Sequence, residues 1–103
     1  MTMILPRTIF AKHPDVACRT VDGRALAIRP PLPNQPPILL TFNETGTIIW
    51  DLLDGQTDVT AILARLATLY PDLPAERRET ETLALLEQLL AAGVVTSQHE
   101  ATA

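Results

Sequence analysis

The sequence predicts an α+β fold, with strands in the first half and helices in the second. Three observations carry that reading. Asp22-Gly23 sits between two strand-like arms, and Asp-Gly is a preferred two-residue hairpin turn. Five prolines fall in the eight residues 30–37, which is expected to exclude both helix and ladder pairing there. From Asn43 onward, helix caps alternate with apolar residues three and four apart, the period of one helix face.

The elements follow in order. Residues 1–15 are expected to form an N-terminal arm or a short strand around Ile9, Phe10 and Ala11. Residues 16–96 form the folded domain, and residues 97–103 a disordered tail. Val16–Val21 and Arg24–Arg29 make the hairpin. Its second arm alternates Arg24, Leu26 and Ile28 against Ala25, Ala27 and Arg29, a half-buried pattern. The proline run then serves as a stiff connector or as a polyproline ligand for another domain. Ile38–Phe42, β-branched and aromatic in part, reads as a third strand.

Asn43 is a strong N-cap for a first helix. Ile49, Leu52 and Leu53 form its inward stripe with Trp50 beside them, and Asp54-Gly55 is expected to end it. Thr57 or Asp58 caps a second helix, whose inward face holds Val59, Ile62, Leu63, Leu66, Leu69 and Tyr70. Pro71 stops it. Pro74 opens a third helix, with leucines 83, 85, 86, 89 and 90 on more than one stripe. Gly93 closes it, Val94-Val95 reads as a short strand or cap, and Gln98 onward frays.

Composition excludes several functions. The chain is 103 residues long with 47% apolar and 19% charged residues, which fits one globular domain. Its net charge is −4, and an acidic surface repels phosphate backbones. The one cysteine, Cys18, cannot make an internal disulfide and suits a reducing cytoplasm. It is expected to face the core as a small strand residue. No apolar run approaches the roughly 18 residues that cross a bilayer, so no membrane is expected.

Chemistry is sparse. His13 and His99 lack metal-spaced partners, so no metal site is expected. Asp51, Asp54 and Asp58 fit cap and surface roles better than an acid–base pair. No glycine-rich phosphate loop appears, because Gly46 and Gly55 each mark a helix boundary. Trp50 and Tyr70 are too few to stack bases. What remains is binding geometry. Prolines ahead of Ile38–Thr41 block pairing there and can leave a strand edge open to an added peptide strand. Leucines of the third helix could wall such a groove. Alternatively the N-terminal arm covers the edge and the leucines complete the core.

The run Phe42-Asn43-Glu44-Thr45-Gly46-Thr47-Ile48-Ile49-Trp50-Asp51-Leu52-Leu53-Asp54-Gly55 resembles the PqqD-like family. That family's pattern is an apolar residue with Asn, then Thr-Gly, Ile-Trp, Leu, Asp and Gly. The resemblance continues through Ile62, Leu66, Tyr70, Leu85-Leu86, Leu89 and Gly93-Val94-Val95, and covers roughly residues 16–96. Members are RiPP recognition elements. The resemblance implies a winged helix-turn-helix, a three-stranded antiparallel sheet followed by a three-helix bundle. It implies a non-catalytic chaperone, without cofactor, that binds the leader segment of a ribosomally made precursor peptide by β-strand addition. It would present that peptide to a modifying enzyme such as a radical SAM enzyme, a leader peptidase or a cyclase. Carried over, it implicates Ile38, Leu39, Leu40 and Thr41 in strand pairing, and Arg78, Glu81, Leu85 and Gln88 on the groove side of the third helix. Arg78 would pair with an acidic leader residue or be an ordinary solvated charge. Two features depart from the pattern. Glu81-Thr82 stands where the family often has Asp-Val, and the proline connector is longer. Two other readings remain open: a DNA-binding winged helix, and a dimerisation or scaffold module forming a homodimer through the strand edge.

Overall fold

A computed structural model describes residues 4–99. It is α+β, with two three-stranded antiparallel sheets and three helices among those residues. The order is β1 (Thr8–Lys12), β2 (Ala17–Val21), β3 (Arg24–Arg29), β4 (Ile38–Thr41), α1 (Glu44–Asp51), β5 (Asp54–Asp58), α2 (Val59–Leu69), α3 (Ala75–Ala92) and β6 (Val95–His99). One sheet runs β5-β1-β6 and the other β2-β3-β4.

The hairpin forms as its turn residues dictate. Asp22 and Gly23 both take positive φ, 52° and 78°, the backbone a two-residue turn of this hand requires. Val21 then faces Arg24 and Ala17 faces Ile28. The buried face of β3 holds two small residues, Ala25 and Ala27, followed by Arg29. Small side chains let α1 pack close on β3. Cys18 corrects an expectation. It lies opposite Ala27 yet is exposed, because β2 is the outer strand and exposed throughout.

Arg29 is only 4% exposed. Its guanidinium donates to the carbonyls of Pro30, at 3.4 Å, and Pro36, at 3.2 Å. That clamps both ends of the proline connector. The connector also pairs, contrary to expectation. Leu32 and Gln35 exchange backbone bonds of 3.0 and 2.9 Å around Pro33-Asn34, since the prolines lack donors but their neighbours do not. Arg29 passes over the end of α3 as well. A Cβ on Gly93 would stand 3.8 Å from Arg29 Cδ. The last turn of α3 holds no basic residue of its own, so a cation here complements the negative helix end.

The junction between β4 and α1 is tightly bonded. Phe42 N–H donates to the Ala25 carbonyl at 3.1 Å. Ala25 N–H, left without a strand partner where β4 stops, donates to Thr47 Oγ1 at 2.9 Å inside α1. Asn43 Oδ1 accepts from Gly46 N–H at 2.7 Å, the expected N-cap. A Cβ on Gly46 would meet Asn43 Oδ1 at 3.1 Å and Phe42 Cδ1 at 3.3 Å, so glycine suits the close approach. Phe42 stacks on Trp50, with ring centroids 5.1 Å apart. Trp50 is buried, and Lys12 Nζ lies 5.2 Å from its ring centroid.

Asp54-Gly55 does not end α1. The helix stops at Asp51, and residues 54–58 form β5 against β1. Asp54 makes this turn itself. Its carboxylate accepts from Gln56 N–H and Thr57 N–H, both at 2.9 Å. Those bonds, the one from Gln56 first, hold its pKa below the usual 3.8. Asp58, of the two candidates, caps α2 by accepting from Ala61 N–H at 2.8 Å.

The N-terminal segment takes the short-strand form offered for it, and the C-terminal strand corrects one more expectation. Thr8–Lys12 is the central strand of the second sheet, with Phe10 fully buried. Residues 97–99, expected to fray, pair with β1 through Phe10↔Ser97 and Thr8↔His99. The rest of that predicted tail, residues 100–103, lies outside the described residues. The core gathers Phe10, Ile49, Trp50, Leu53, Ile62, Leu66, Leu86 and Leu89. Leu69, expected on the inward face of α2, is instead 41% exposed.

Asn43→Ala removes the cap acceptor at this junction and is expected to cost about 1 kcal/mol. Thermal unfolding would read that as a fall in Tm of roughly 4–8 °C. An unchanged Tm would contradict the role given to Asn43.

Candidate functional site

β4 is an edge strand, hydrogen-bonded to β3 alone. The Phe42-to-Ala25 bond fixes its phase. Inward bonds alternate along an antiparallel strand, so Leu40 and Ile38 also bond toward β3. Leu39 and Thr41 therefore direct their N–H and C=O groups away from the sheet. The N-terminal segment, one candidate cover for this edge, pairs with β5 and β6 instead. Leu39 is 62% exposed, and Thr41 is exposed too.

Beside the end of β4 lies a groove of about 850 Å³. One wall is α3, through Glu81, Ala84, Leu85 and Gln88. The sheet supplies Val21, Arg24, Leu26 and Thr41, and α1 with its cap supplies Asn43, Thr45, Gly46 and Ile49. Helical spacing puts Glu81, Leu85 and Gln88 on one face of α3. Leu86 and Leu89, on another face, are buried in the core. That division explains the surplus of leucines: one stripe builds the core and Leu85 borders the groove.

A second hollow of about 470 Å³ adjoins the first through the shared residues Thr45 and Glu81. Leu69, Tyr70, Pro71 and Leu73 give it an apolar lining. Tyr70 donates its hydroxyl to Glu44 Oε1 at 3.3 Å. Arg77 and Glu81 form an exposed ion pair of 3.1 Å on its rim.

Of the residues the sequence singled out, Thr41, Glu81, Leu85 and Gln88 meet at the main groove. Ile38, Leu39 and Leu40 lie along the strand that leads into it. Arg78 stands apart. Its guanidinium donates to the carbonyls of Tyr70, at 3.2 Å, and Leu73, tying the α2–α3 turn to the first part of α3. Arg24 and Leu26 were missed as groove residues. The alternation of β3 was the available signal, since it sets them on the face opposite Ala25 and Ala27.

Among the described residues, no group of three His, Cys, Asp or Glu side chains could hold a metal ion. Among the same residues, no helix is long and apolar enough to cross a membrane.

A small α+β domain with an open strand edge beside a helix-walled groove is thus the class defined by fold and geometry. The family model described as Coenzyme PQQ synthesis protein D (PqqD) matches residues 35–95. That is more than half of the chain, and the chain belongs to the PqqD family. The match takes in β4, the three helices and β5, so it contains the open edge and the α3 wall together. No curated protein and no solved structure matches significantly.

Arg78→Ala would leave two turn carbonyls without their charged donor. It is expected to lower stability by about 1–3 kcal/mol, measured by denaturant unfolding. A variant as stable as the parent would contradict the structural role of Arg78.

Proposed function

We propose that this chain is a non-catalytic peptide-binding chaperone. It captures the leader segment of a ribosomally synthesised precursor peptide by β-strand addition along β4, and presents it to a modifying enzyme. One observation carries the reading: the outward N–H and C=O groups of Leu39 and Thr41 lie on an unpaired edge that runs into the groove beside α3. Main-chain bonds to that edge supply affinity without regard to side chains, and the groove supplies selectivity. Ile38 and Leu40 hold the strand to β3, while Glu81, Leu85 and Gln88 contact the peptide from α3. Membership of the PqqD family supports a place in precursor-peptide modification. The partner enzyme is of the radical SAM, leader peptidase or cyclase kind, the setting is cytoplasmic, and the chaperone needs no cofactor. The β2-β3-β4 sheet acts as the wing of a winged helix-turn-helix.

Charge counts against the same fold acting on DNA. α3 carries Arg77 and Arg78 against Glu76, Glu79, Glu81 and Glu87. Both arginines are engaged, Arg77 with Glu81 and Arg78 with the turn. An open edge can also pair with a second copy of the chain, so sedimentation across a concentration series accompanies the test.

The isotope-labelled domain would be titrated with leader segments of short precursor peptides encoded beside it. Amide shifts are expected in residues 38–41 and along the groove side of α3. Leu39→Pro removes one outward donor while sparing the bonds to β3, and should abolish those shifts in a folded protein. No shifts at saturating peptide, or full binding by folded Leu39→Pro, would contradict strand addition.

A further inference from the structure

The groove is asymmetric in charge. On its sheet side stands Arg24. Arg19 lies opposite Leu26 on β2, so it shares a face with Leu26 and Arg24 and sits diagonal to Arg24, roughly 7–8 Å away. Both arginines are exposed. Among the described residues neither makes a hydrogen bond or an ion pair. The acidic group across the groove, Glu81, is already paired with Arg77 at 3.1 Å. Nearby Asp22 lies in the hairpin turn and makes no ion pair with Arg24. A chain of net charge −4 thus presents Arg24 at one end of its groove, next to the apolar surface of Leu26, Ile49 and Leu85, with a second cation, Arg19, beside it on the same sheet face.

We propose that the groove selects an extended peptide with a carboxylate side chain beside an apolar one. The carboxylate meets Arg24, with Arg19 reinforcing it. The apolar side chain rests on Leu26, Ile49 and Leu85. This rests on the peptide-binding reading and specifies its ligand. It also moves acid recognition from α3, where Arg78 is committed to the turn, to the hairpin tip. Guanidinium groups suit carboxylates because their planar donors match both oxygens. Exposed pairs of this kind are modest in strength, so their effect should appear in preference more than in affinity.

The test is a displayed library of random 12-residue peptides, selected separately against the parent, Arg24→Glu, and the double variant Arg19→Glu with Arg24→Glu. Thermal unfolding of each protein establishes that the variants are folded. The parent should enrich Asp or Glu adjacent to Leu, Ile or Val. Arg24→Glu should exchange that acidic preference for Lys or Arg at the same place, and the double variant should strengthen the exchange. Individual acidic peptides should bind Arg24→Glu roughly two- to five-fold more weakly than the parent, with the difference shrinking at high salt. Enriched peptides that bind the parent and lose binding to Leu39→Pro, yet show no acidic preference, would overturn this proposal and leave strand addition standing. An acidic preference unchanged in Arg24→Glu would overturn it as well. A library that enriches no peptide would overturn both.

Discussion

The rest of the structure depends on how β4 stops. At Phe42 the strand makes its last bond to β3, through the Ala25 carbonyl. The amide of Ala25 then turns to Thr47 of α1. A buried N–H without a partner costs about 1–3 kcal/mol, so this bond makes the strand end and the helix position one decision. Asn43 caps α1 in the same turn, and Gly46 lets the cap close against the Phe42 ring. With α1 held under β3, β3 extends past the end of β4. The hairpin tip, the first turn of α1 and α3 then enclose a groove.

The same junction gives the family's identifying residues structural work, and several of them also border the groove. Asn43 and Trp50 do structural work, as cap and core. The exposed groups that could meet a ligand flank them in the chain: Leu39 and Thr41 before, Glu81, Leu85 and Gln88 after. Carrying the edge and the wall on the elements before and after this rigid block in the chain lets side chains at the groove vary without disturbing the fold. Arg29 adds rigidity at the other end of β4. It holds the proline connector by two carbonyls and passes over the end of α3, so the entry to the edge strand is fixed as firmly as its exit.

Much of this was legible in the sequence because local chemistry decided it. The Asp22-Gly23 turn, the Asn43 cap, the stop at Pro71 and the left-handed Gly93 each follow from the residues at hand. What was not legible depended on distant partners. Asp54-Gly55 looks like a helix ending, but the turn made by the Asp54 carboxylate feeds a strand onto β1, more than forty residues earlier in the chain. The second sheet was hidden because its three strands are scattered and none is strongly patterned. Residue type points Cys18 to the core, whereas the outer position of β2 governs its exposure. Arg78 looked available because its partners are carbonyls of an adjacent turn, which no charge pattern reveals.

The central claim is that one side of β4 is bonded and the other open. Backbone amide exchange at single-residue resolution tests it most directly. The amides of Leu39 and Thr41 should exchange at rates close to those of an unstructured chain, while those of Leu40 and Phe42 exchange far more slowly. Uniform protection from Leu39 to Phe42 in the free monomer would mean that something already covers the edge, and would contradict the account.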